Sequence, residues 1–241
     1  MKFDTKLIQF SNIDIKEKRI LPKEPSEKLA EFIGILAGDG HVGYHEKSND
    51  YLITISSNAK DELKYLRYAK KLANLLFNFE MKLRKQDNTL SIYKRSKAIF
   101  LFLQIIGFQK KNCCVRIPPW ILDDDKFAKS FIRGLFDTDG SVSLKNNHGR
   151  HKFYPVISIA SKDEQLIKRV SIFLKKWDLR FHIGNESYFD NRTRKKYRKT
   201  KLEINGYDAA KRWFKLIGTS NPKHKVKLGQ VGIPEPLNRL I

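Results

Sequence analysis

The stretch Phe32-Ile-Gly-Ile-Leu-Ala-Gly-Asp-Gly40 occurs a second time, with changes, as Phe131-Ile-Arg-Gly-Leu-Phe-Asp-Thr-Asp-Gly140. The acids before the two final glycines, Asp39 and Asp139, are 100 residues apart, so an internal duplication is the simplest explanation. Each copy is an apolar run with small residues four positions apart, and an acid followed by glycine is typical of a helix C-terminus. We expect the two helices to pack backbone to backbone and to bring two carboxylates side by side.

The composition indicates a nucleic-acid partner. Among 241 residues there are 48 Lys and Arg against 26 Asp and Glu, a net charge of +22. An excess of this size on a folded chain most often faces polyphosphate, although a ribosomal-type protein or a lysine-rich proteome would show the same charge. The length allows one domain or two halves of about 100 residues each, and the duplication favours two halves.

Cysteines and apolar runs exclude several other classes of protein. Cys113 and Cys114 are adjacent and are the only two cysteines, so neither a disulfide framework nor a two-pair zinc motif is predicted. No segment approaches about 18 uninterrupted apolar residues, and the N-terminus carries Asp4 without a long apolar stretch. We therefore expect an intracellular protein, in the cytoplasm or an organelle matrix, without a membrane span.

Each half is predicted to have the element order αββαββα. The predicted segments are an N-terminal arm, a first repeat, a linker containing prolines and a second repeat, at residues 1–26, 27–108, 109–126 and 127–241. Besides the motif helices, periodicity predicts helices at 60–77, 96–106, 163–177 and 207–217 and strands at 51–56, 80–85, 90–94, 141–145 and 153–160. Local echoes support the alignment, since Lys60-Asp-Glu returns as Lys162-Asp-Glu after a similar apolar strand.

Two carboxylates at packed helix C-termini repel one another and the negative ends of both dipoles unless a cation neutralises them. Carboxylate, carbonyl and water oxygens are the ligands that Mg²⁺ prefers, and a bound divalent ion can activate water and hold a phosphate. A metal-dependent phosphodiester hydrolase is therefore predicted. The alternative is that Asp39 and Asp139 belong only to capping turns. An EF-hand loop fails because Leu135 and Asn146 stand at two of its ligand positions.

The paired motifs resemble those of the LAGLIDADG homing endonucleases, in the single-chain form with two repeats. The resemblance runs from residue 27 onward. The second motif matches well and follows a typical segment, Ile117-Pro-Pro-Trp-Ile121, whereas the first has Ala37 where the motif commonly carries an Asp. The resemblance implies an α/β (α+β) fold of two pseudo-twofold-related αββαββα halves. Their motif helices would pack at the interface, and their antiparallel sheets would form a DNA-binding saddle.

The same resemblance implies a function and its cofactor. It implies a monomer that hydrolyses double-stranded DNA at a long, asymmetric target, with Asp39 and Asp139 as metal ligands at two sites that each cut one strand. The implied metal is Mg²⁺, with Mn²⁺ as a replacement and Ca²⁺ as a non-catalytic substitute.

A lysine follows the second strand of each predicted half. Lys60 and Lys162 each stand before Asp-Glu at the start of a helix, a position where a cation is unfavourable. We predict that they act beside the metals, stabilising charge on the phosphate, as the resembling enzymes use a lysine in that neighbourhood. The alternative is a solvated lysine in the first turn of each helix.

The densest basic run, at residues 192–201, holds seven cations and no acid after a turn at Asp190-Asn191. On a hairpin, alternate side chains face opposite sides, and a two-stranded ribbon fits the major groove of B-DNA. The residues predicted to contact DNA, all cations on or near predicted strands, are Lys82, Arg84, Lys94, Arg95, Arg150, Lys152, Arg192, Arg194, Lys196, Arg198 and Lys201. A solvated surface charge is the alternative for each of them.

Two other functions use the same scaffold. One is a maturase that binds intron RNA and assists splicing, and the other is a DNA-binding protein that has lost cleavage. The acid retained in both motifs argues against the second. A splicing intein is disfavoured because the sequence begins with Met1 and ends with Leu240-Ile241, without a nucleophile at the start or a terminal His-Asn pair.

Overall fold

The computed structural model describes residues 1–59, 62–112, 114–146, 153–190, 194–230 and 232–233. The chain divides into two compact units: Met1–Lys111 with Val115–Thr138, and Asn112–Cys114 with Asp139–Ile241. The second motif helix therefore belongs to the first unit almost to its end. The segment boundaries predicted from the sequence stay a prediction.

The elements alternate as the sequence predicts. In the first half they are α1 (Asn12–Lys16), α2 (Glu27–Gly38), β1 (Gly40–His45), β2 (Asp50–Asn58), α3 (Leu63–Phe77), β3 (Lys82–Gln86), β4 (Thr89–Arg95) and α4 (Lys97–Ile105). The connecting elements are β5 (Gln109–Lys111), β6 (Cys114–Arg116) and α5 (Pro119–Leu122). The second half has α6 (Asp125–Asp139), β7 (Gly140–Lys145), β8 (Tyr154–Ser161), α7 (Glu164–Lys176), β9 (His182–Asp190), β10 (Lys195–Asn205), α8 (Tyr207–Leu216) and α9 (Pro222–Gly229).

Two four-stranded antiparallel sheets have the same topology. The strand order is β1-β2-β4-β3 in sheet 1 and β7-β8-β10-β9 in sheet 2. The first two strands of each sheet also pair in an equivalent register. The glycine after the motif acid pairs with an isoleucine in both, Gly40 with Ile55 and Gly140 with Ile159. This repetition confirms the mixed α/β fold with two αββαββα halves.

The motif helices α2 and α6 pack backbone to backbone, as the spacing of their small residues predicts. A Cβ atom added to Gly34 would lie 2.1 Å from the carbonyl oxygen of Phe131, and one added to Gly134 would lie 2.2 Å from that of Glu31. Both distances are far below contact, so only glycine allows this approach. The two glycines thus play reciprocal roles in one helix–helix contact.

The glycine after the first acid has a steric role that differs from the expected helix cap. Gly40 is absent from the residues with positive φ, so left-handed backbone does not explain it. A Cβ atom there would lie 2.4 Å from the Cα atom of Leu36, because β1 folds back directly against the end of α2. Gly40 therefore sets how closely the first strand follows the carboxylate of Asp39.

Residues 1–26, predicted as an arm, contain a helix that bonds to the first repeat. Ser11 and Asp14 form a capping box at α1. The fully buried Asp14 also accepts hydrogen bonds from the Ser96 hydroxyl (2.5 Å) and the Ala98 amide (3.1 Å). Burial tends to raise the pKa of Asp14, but these hydrogen bonds outweigh it and lower the pKa. The segment is thus tied to the start of α4 by a buried, ionised carboxylate.

Helix and strand bounds agree with prediction to within a few residues, with some additions. Helix α3 begins at Leu63 instead of residue 60, while α7 starts after its N-cap Asp163, which accepts from the Leu166 amide. Short elements within the predicted linker and helix α9 were not predicted. In the part of the chain that the structure describes, none of the helices has the length and apolar composition that a membrane span requires.

Candidate active site and nucleic-acid interface

Helix α2 holds Asp39 in a fixed position. Ser26 caps the helix by accepting from the Leu29 amide (3.2 Å), and every residue from Leu29 to Ala37 is buried. Asp39 is the C-cap and is half-buried, and its carbonyl oxygen accepts from the Ser56 amide (3.2 Å) on β2. The carboxylate thus starts from backbone that is anchored to both a buried helix and sheet 1.

Helix α6 ends at Asp139, which is also half-buried. The hydroxyl of Thr138 donates back to the helix carbonyls of Gly134 (3.2 Å) and Leu135 (2.9 Å). Asp137, the other acid of this motif, has no exposed surface, so it belongs to the interior. Of these two acids, only Asp139 is therefore accessible from the surface.

A lysine that sequence reasoning missed lies at the end of α2. The ammonium group of Lys110, on β5, donates to the carbonyl oxygens of Gly38 and Leu36, the latter at 3.3 Å. These are among the carbonyls that a helix C-terminus leaves unpaired, so the charge sits at the negative end of the dipole. It also sits next to the backbone of Asp39. No local pattern distinguishes Lys110 from its exposed neighbour Lys111.

Lysines of the second half make different contacts. In the second unit, Lys227 on α9 donates to the carbonyl oxygen of Val142 (3.1 Å), close in sequence to Asp139. The ammonium of Lys162 lies 3.8 Å from the ring centroid of Tyr197, a cation–π contact with β10. The matching prediction, Lys60, lies outside the described residues.

The carboxylates at the two helix ends supply only part of the ligand set of a divalent ion. Among the described residues, no group of three or more His, Cys, Asp or Glu side chains could hold a metal by itself. Asp39 and Asp139 offer the hard oxygen donors that Mg²⁺ binds, and Mg²⁺ commonly keeps waters and takes substrate phosphates as further ligands. Phosphate oxygens would therefore have to complete each coordination sphere.

The outer face of each sheet, defined as the face opposite the buried strand residues that pack on helices, carries the candidate DNA contacts. In sheet 1 the buried side is marked by Ile53, Ile55 and Ile92. The predicted contacts Lys82, Arg84 and Arg95 lie on the outer face. Their partners across the strands are Tyr93, Ser91 and Leu52, which alternate with the buried residues. On that face Arg95 also forms an ion pair with Asp50 of β2 (2.9 Å).

Lys94 lies on the other face of sheet 1. It pairs with Ile53 across β2 and β4, and its ammonium forms a 2.5 Å salt bridge with Glu17 of the N-terminal segment. Burial tends to raise the pKa of Glu17, but the hydrogen bond from Lys94 and the charge of Arg19 outweigh it and lower the pKa. The structure thus separates Lys94 from the other predicted contacts of sheet 1.

The long hairpin of β9 and β10 carries the basic run of sheet 2. Buried Thr200, Leu202 and Ile204 alternate with half-buried Lys199, Lys201 and Glu203, so the latter three mark the outer face. Of the predicted contacts, Lys201 lies on that face. Lys196 and Arg198 have the same alternation as Thr200 and therefore lie on the helix side. Arg194 precedes β10 with a φ of 54° and is exposed. Arg150, Lys152 and Arg192 lie outside the described residues.

Comparison with known families covers both halves. Residues 126–218 match the family model of the LAGLIDADG-like domain, and residues 29–114 match that of the WhiA LAGLIDADG-like domain. The chain belongs to the LAGLIDADG family. Its two LAGLIDADG domains stand in tandem, one in each half of the sequence.

Relatives of this LAGLIDADG chain differ widely in length. An uncharacterized protein of Methanocaldococcus jannaschii is 26% identical over 191 residues, which are 74% of this chain and 68% of that protein. A DNA polymerase of Thermococcus sp. (strain GE8) is 33% identical over 147 residues, which are 59% of this chain and 8% of the polymerase. The match thus spans a small part of that relative's length.

Solved LAGLIDADG structures share the fold. The homing endonuclease I-DmoI in complex with DNA and Ca superimposes with a TM-score of 0.56 at 19% identity, covering 85% of this chain and 97% of that chain. Full-length DUF199/WhiA from Thermatoga maritima gives a TM-score of 0.52 at 18% identity, covering 89% and 62%. At these identities the likeness establishes the fold alone.

A buried ion pair joins the two LAGLIDADG helices. Arg133 of α6 donates to Glu31 of α2 through Nη2 (2.6 Å) and Nε (3.1 Å), and Tyr68 donates to the other oxygen of Glu31 (2.6 Å). Burial acts to lower the pKa of Arg133, but the charge of Glu31 outweighs it and raises the pKa. The guanidinium of Arg133 therefore stays charged in the folded interior.

Proposed function

We propose that this LAGLIDADG protein is a site-specific endonuclease that hydrolyses both strands of double-stranded DNA with a divalent metal. The observation that carries the proposal is that each motif helix ends in a half-buried aspartate, Asp39 or Asp139, on anchored backbone beside a sheet with a cationic outer face. The similarity to I-DmoI supports the fold of such an enzyme. The chain would act as a monomer on a long, asymmetric target, because the outer faces of the two sheets differ.

Asp39 and Asp139 would hold the metal ions. Mg²⁺ is the proposed ion, with Mn²⁺ as a replacement and Ca²⁺ as a substitute that binds without rapid hydrolysis; when bound, the ion supplies an activated water and neutralises charge on the phosphate. Without DNA each site offers few protein ligands, so metal binding should be weak until phosphates join it.

Lysines would stabilise the charge that develops on the phosphate during cleavage. Lys110 is the best placed, because its ammonium is held at the end of α2 by the carbonyl oxygens of Leu36 and Gly38. Lys162, and Lys60 by analogy, remain proposed for the same role. The Tyr197 ring would orient Lys162 while leaving its N–H groups able to donate toward DNA.

A DNA-binding protein without cleavage is the second candidate. It is favoured by the small number of metal-ligating side chains that the described residues bring together. It shares the cationic outer faces with the first candidate, so DNA binding alone does not separate the two.

The experiment that tests the proposal selects DNA from a random double-stranded pool in Ca²⁺ and then transfers the complexes to Mg²⁺. We expect wild type to cut both strands at one site, and the Asp39→Asn, Asp139→Asn double variant to bind the same DNA without cutting. Asp178→Asn is the matched control, because Asp178 is an exposed acid paired with Arg212 and should cut as wild type does. Tight binding with no cutting by any of the three proteins would support the second candidate.

A further inference from the structure

Sheet 2 carries a connected row of charges across its outer face. Glu203 on β10 accepts from Lys145 on β7 (3.2 Å) and from Lys201 two residues away (3.0 Å). Glu186 on β9 accepts from Lys201 (3.0 Å) and forms a 3.4 Å ion pair with Lys199, which stands opposite it in the register. These five residues are named the Lys–Glu ladder.

The ladder is fixed before any ligand arrives. Lys201 bridges both acids, and the side chain of Glu203 is only 17% exposed. Burial raises the pKa of Glu203, but the hydrogen bonds from Lys201 and Lys145 outweigh it, so the pKa is lowered and the carboxylate stays charged. Burial acts in the opposite sense on Lys201, yet its hydrogen bonds to Glu186 and Glu203 raise its pKa.

Sheet 1 has no such ladder at the positions that match by register. Uncharged Tyr93 stands where sheet 2 has Glu203, because Thr54 pairs with Tyr93 as Ser158 pairs with Glu203. Gln86 matches Glu186 in the same way and accepts from Arg84 (2.6 Å). Acids at these two positions are therefore specific to the second half, while the outer face of sheet 1 carries a single pair elsewhere, Asp50 with Arg95 (2.9 Å).

Carboxylates on a DNA-facing surface have a definite chemical consequence. They repel phosphates, so they lower affinity for DNA backbone of any sequence. In the major groove a carboxylate accepts from the N4 amino group of cytosine, and lysine donates to O6 and N7 of guanine. Residues two apart on a strand are separated by about 6.6 Å, close to the rise of two base pairs, about 6.8 Å.

We propose that Glu203 and Glu186 are specificity-determining residues, which hold Lys145, Lys199 and Lys201 for guanine contacts and themselves read cytosine in the half-site under sheet 2. This inference rests on the proposed DNA-binding function of the outer faces. The half-site under sheet 2 would then be rich in G·C pairs at the positions the ladder covers. Sheet 1, without acids at the matching positions, would contribute relatively more sequence-independent affinity.

The test compares full-length wild type with Glu203→Gln and Glu186→Gln by selection from a random double-stranded DNA pool in Ca²⁺. Both changes preserve shape and remove one charge, and matching thermal unfolding would show that each variant folds. We expect sequence preference to relax in one half-site only, with the ratio of specific to non-specific affinity falling by about tenfold. If one of the two variants fails to fold, the other still tests the proposal.

Glu164→Gln is the matched control. Glu164 is an exposed acid on α7 that pairs with Lys168, so its change alters net charge equally without touching the outer face. It should raise affinity slightly for all sequences and leave the selected sequence unchanged. If the Glu203 and Glu186 variants select the wild-type sequence with the same ratio as this control, the inference is overturned. If wild type itself selects no sequence, the proposed function fails as well.

Discussion

Helices α2 and α6 share the spacing of their small residues and differ in their buried charges. Gly34 and Gly134 each face the backbone of the other helix, so spacing alone would also allow either helix to pack against a copy of itself. The charges oppose that outcome, because Glu31 stands on α2 and Arg133 on α6, and like helices would bury two acids or two bases. The common spacing sets how closely the helices approach, and the different charges set which helices pair.

The two sheets show the same division between shared geometry and different chemistry. Their strand orders match, and the register of the first two strands is the same. Their outer faces differ, since sheet 2 carries the Lys–Glu ladder and sheet 1 has uncharged side chains at the matching positions. A duplicated fold can therefore keep its backbone and still present two unlike surfaces to an asymmetric ligand.

The largest effect is expected from a change to the shared spacing. Gly134→Val would place its Cβ atom 2.2 Å from the Glu31 carbonyl oxygen, so the helices would have to separate. We expect a loss of more than about 5 kcal/mol, enough to unfold a domain of ordinary stability. Circular dichroism during urea unfolding measures it. Gly229→Val, at an open site, should leave unfolding nearly unchanged, and equal midpoints for the two variants would contradict the prediction.

A somewhat smaller effect is expected from breaking the charge complementarity. Arg133→Met would remove the guanidinium that Glu31 contacts in the interior and should cost about 3–5 kcal/mol of unfolding free energy. Adding Glu31→Leu should restore most of that loss, because two apolar side chains replace the pair. Urea unfolding of the single and double variants measures the coupling. Lys168→Met, which breaks an exposed pair, is the control, and a cost for Arg133→Met no larger than this control's would show that the buried pair is unimportant.

A change at Lys110 sharpens the comparison of the two proposed active sites. Lys110→Met should slow cutting of one DNA strand by about a hundredfold, because a positive charge beside Asp39 is lost. Lys162→Met, at the lysine proposed for the same role in the second half, should instead slow the other strand. Single-turnover cleavage with each strand labelled separates the two effects. Lys111→Met, the adjacent exposed lysine, should cut as wild type does, and equal slowing of both strands by Lys110→Met would refute the assignment to one site.

The smallest effect concerns a buried phenol on α3 that has no counterpart at the matching position of α7. Tyr65 is buried and its hydroxyl has no hydrogen-bond partner among the described residues, whereas Leu166 stands at the matching position of the second half, counted from the N-caps Glu62 and Asp163. Burial, followed by the charges of Asp137 and Glu31, raises the pKa of Tyr65 well above its ordinary value of 10.0. The folded protein then keeps this proton above pH 10 while the unfolded chain loses it, so stability is present below pH 10 and falls as pH rises.

Tyr65→Phe should therefore leave stability at pH 8 unchanged or slightly higher and reduce the loss of stability above pH 10. Urea unfolding at pH 8, 10 and 11 measures this slope. Tyr68→Phe is the control, because it removes a hydrogen bond to Glu31 and should destabilise at every pH. An unchanged slope in Tyr65→Phe would mean that this phenol does not contribute to the alkaline loss.

Long periodic elements were predictable and short ones were not. Helix α7, predicted at 163–177, is found at Glu164–Lys176, because apolar spacing and an N-cap are properties of neighbouring residues. Helix α1 has five residues and no such periodicity. It is stabilised by Asp14, whose partner Ser96 is 82 residues away. Tertiary contacts of this kind leave no local pattern.

The candidate site divides in the same manner. The positions of Asp39 and Asp139 at helix ends follow from the motifs, and the alternation of the basic run was expected from a hairpin. Which row faces outward was not, because it depends on register: Lys201 lies on the outer face and Arg198 on the helix side. Glu186 and Glu203 were not predicted as site residues. Only cations were considered as DNA contacts, and the pairing of these acids with Lys199 and Lys201 depends on strand register.

The sequence by itself determined the duplication, the order αββαββα, the close contact of two glycine-bearing helices and an acid at the end of each. These are set by spacing along the chain, and backbone geometry converts such spacing directly into structure. Only the tertiary structure decided that Lys110 reaches the end of α2, that Glu31 meets Arg133, and that the lysines of sheet 2 are held by Glu186 and Glu203. Those pairs join residues that are distant in sequence or on different strands, and packing and register, which act across the chain, bring them together.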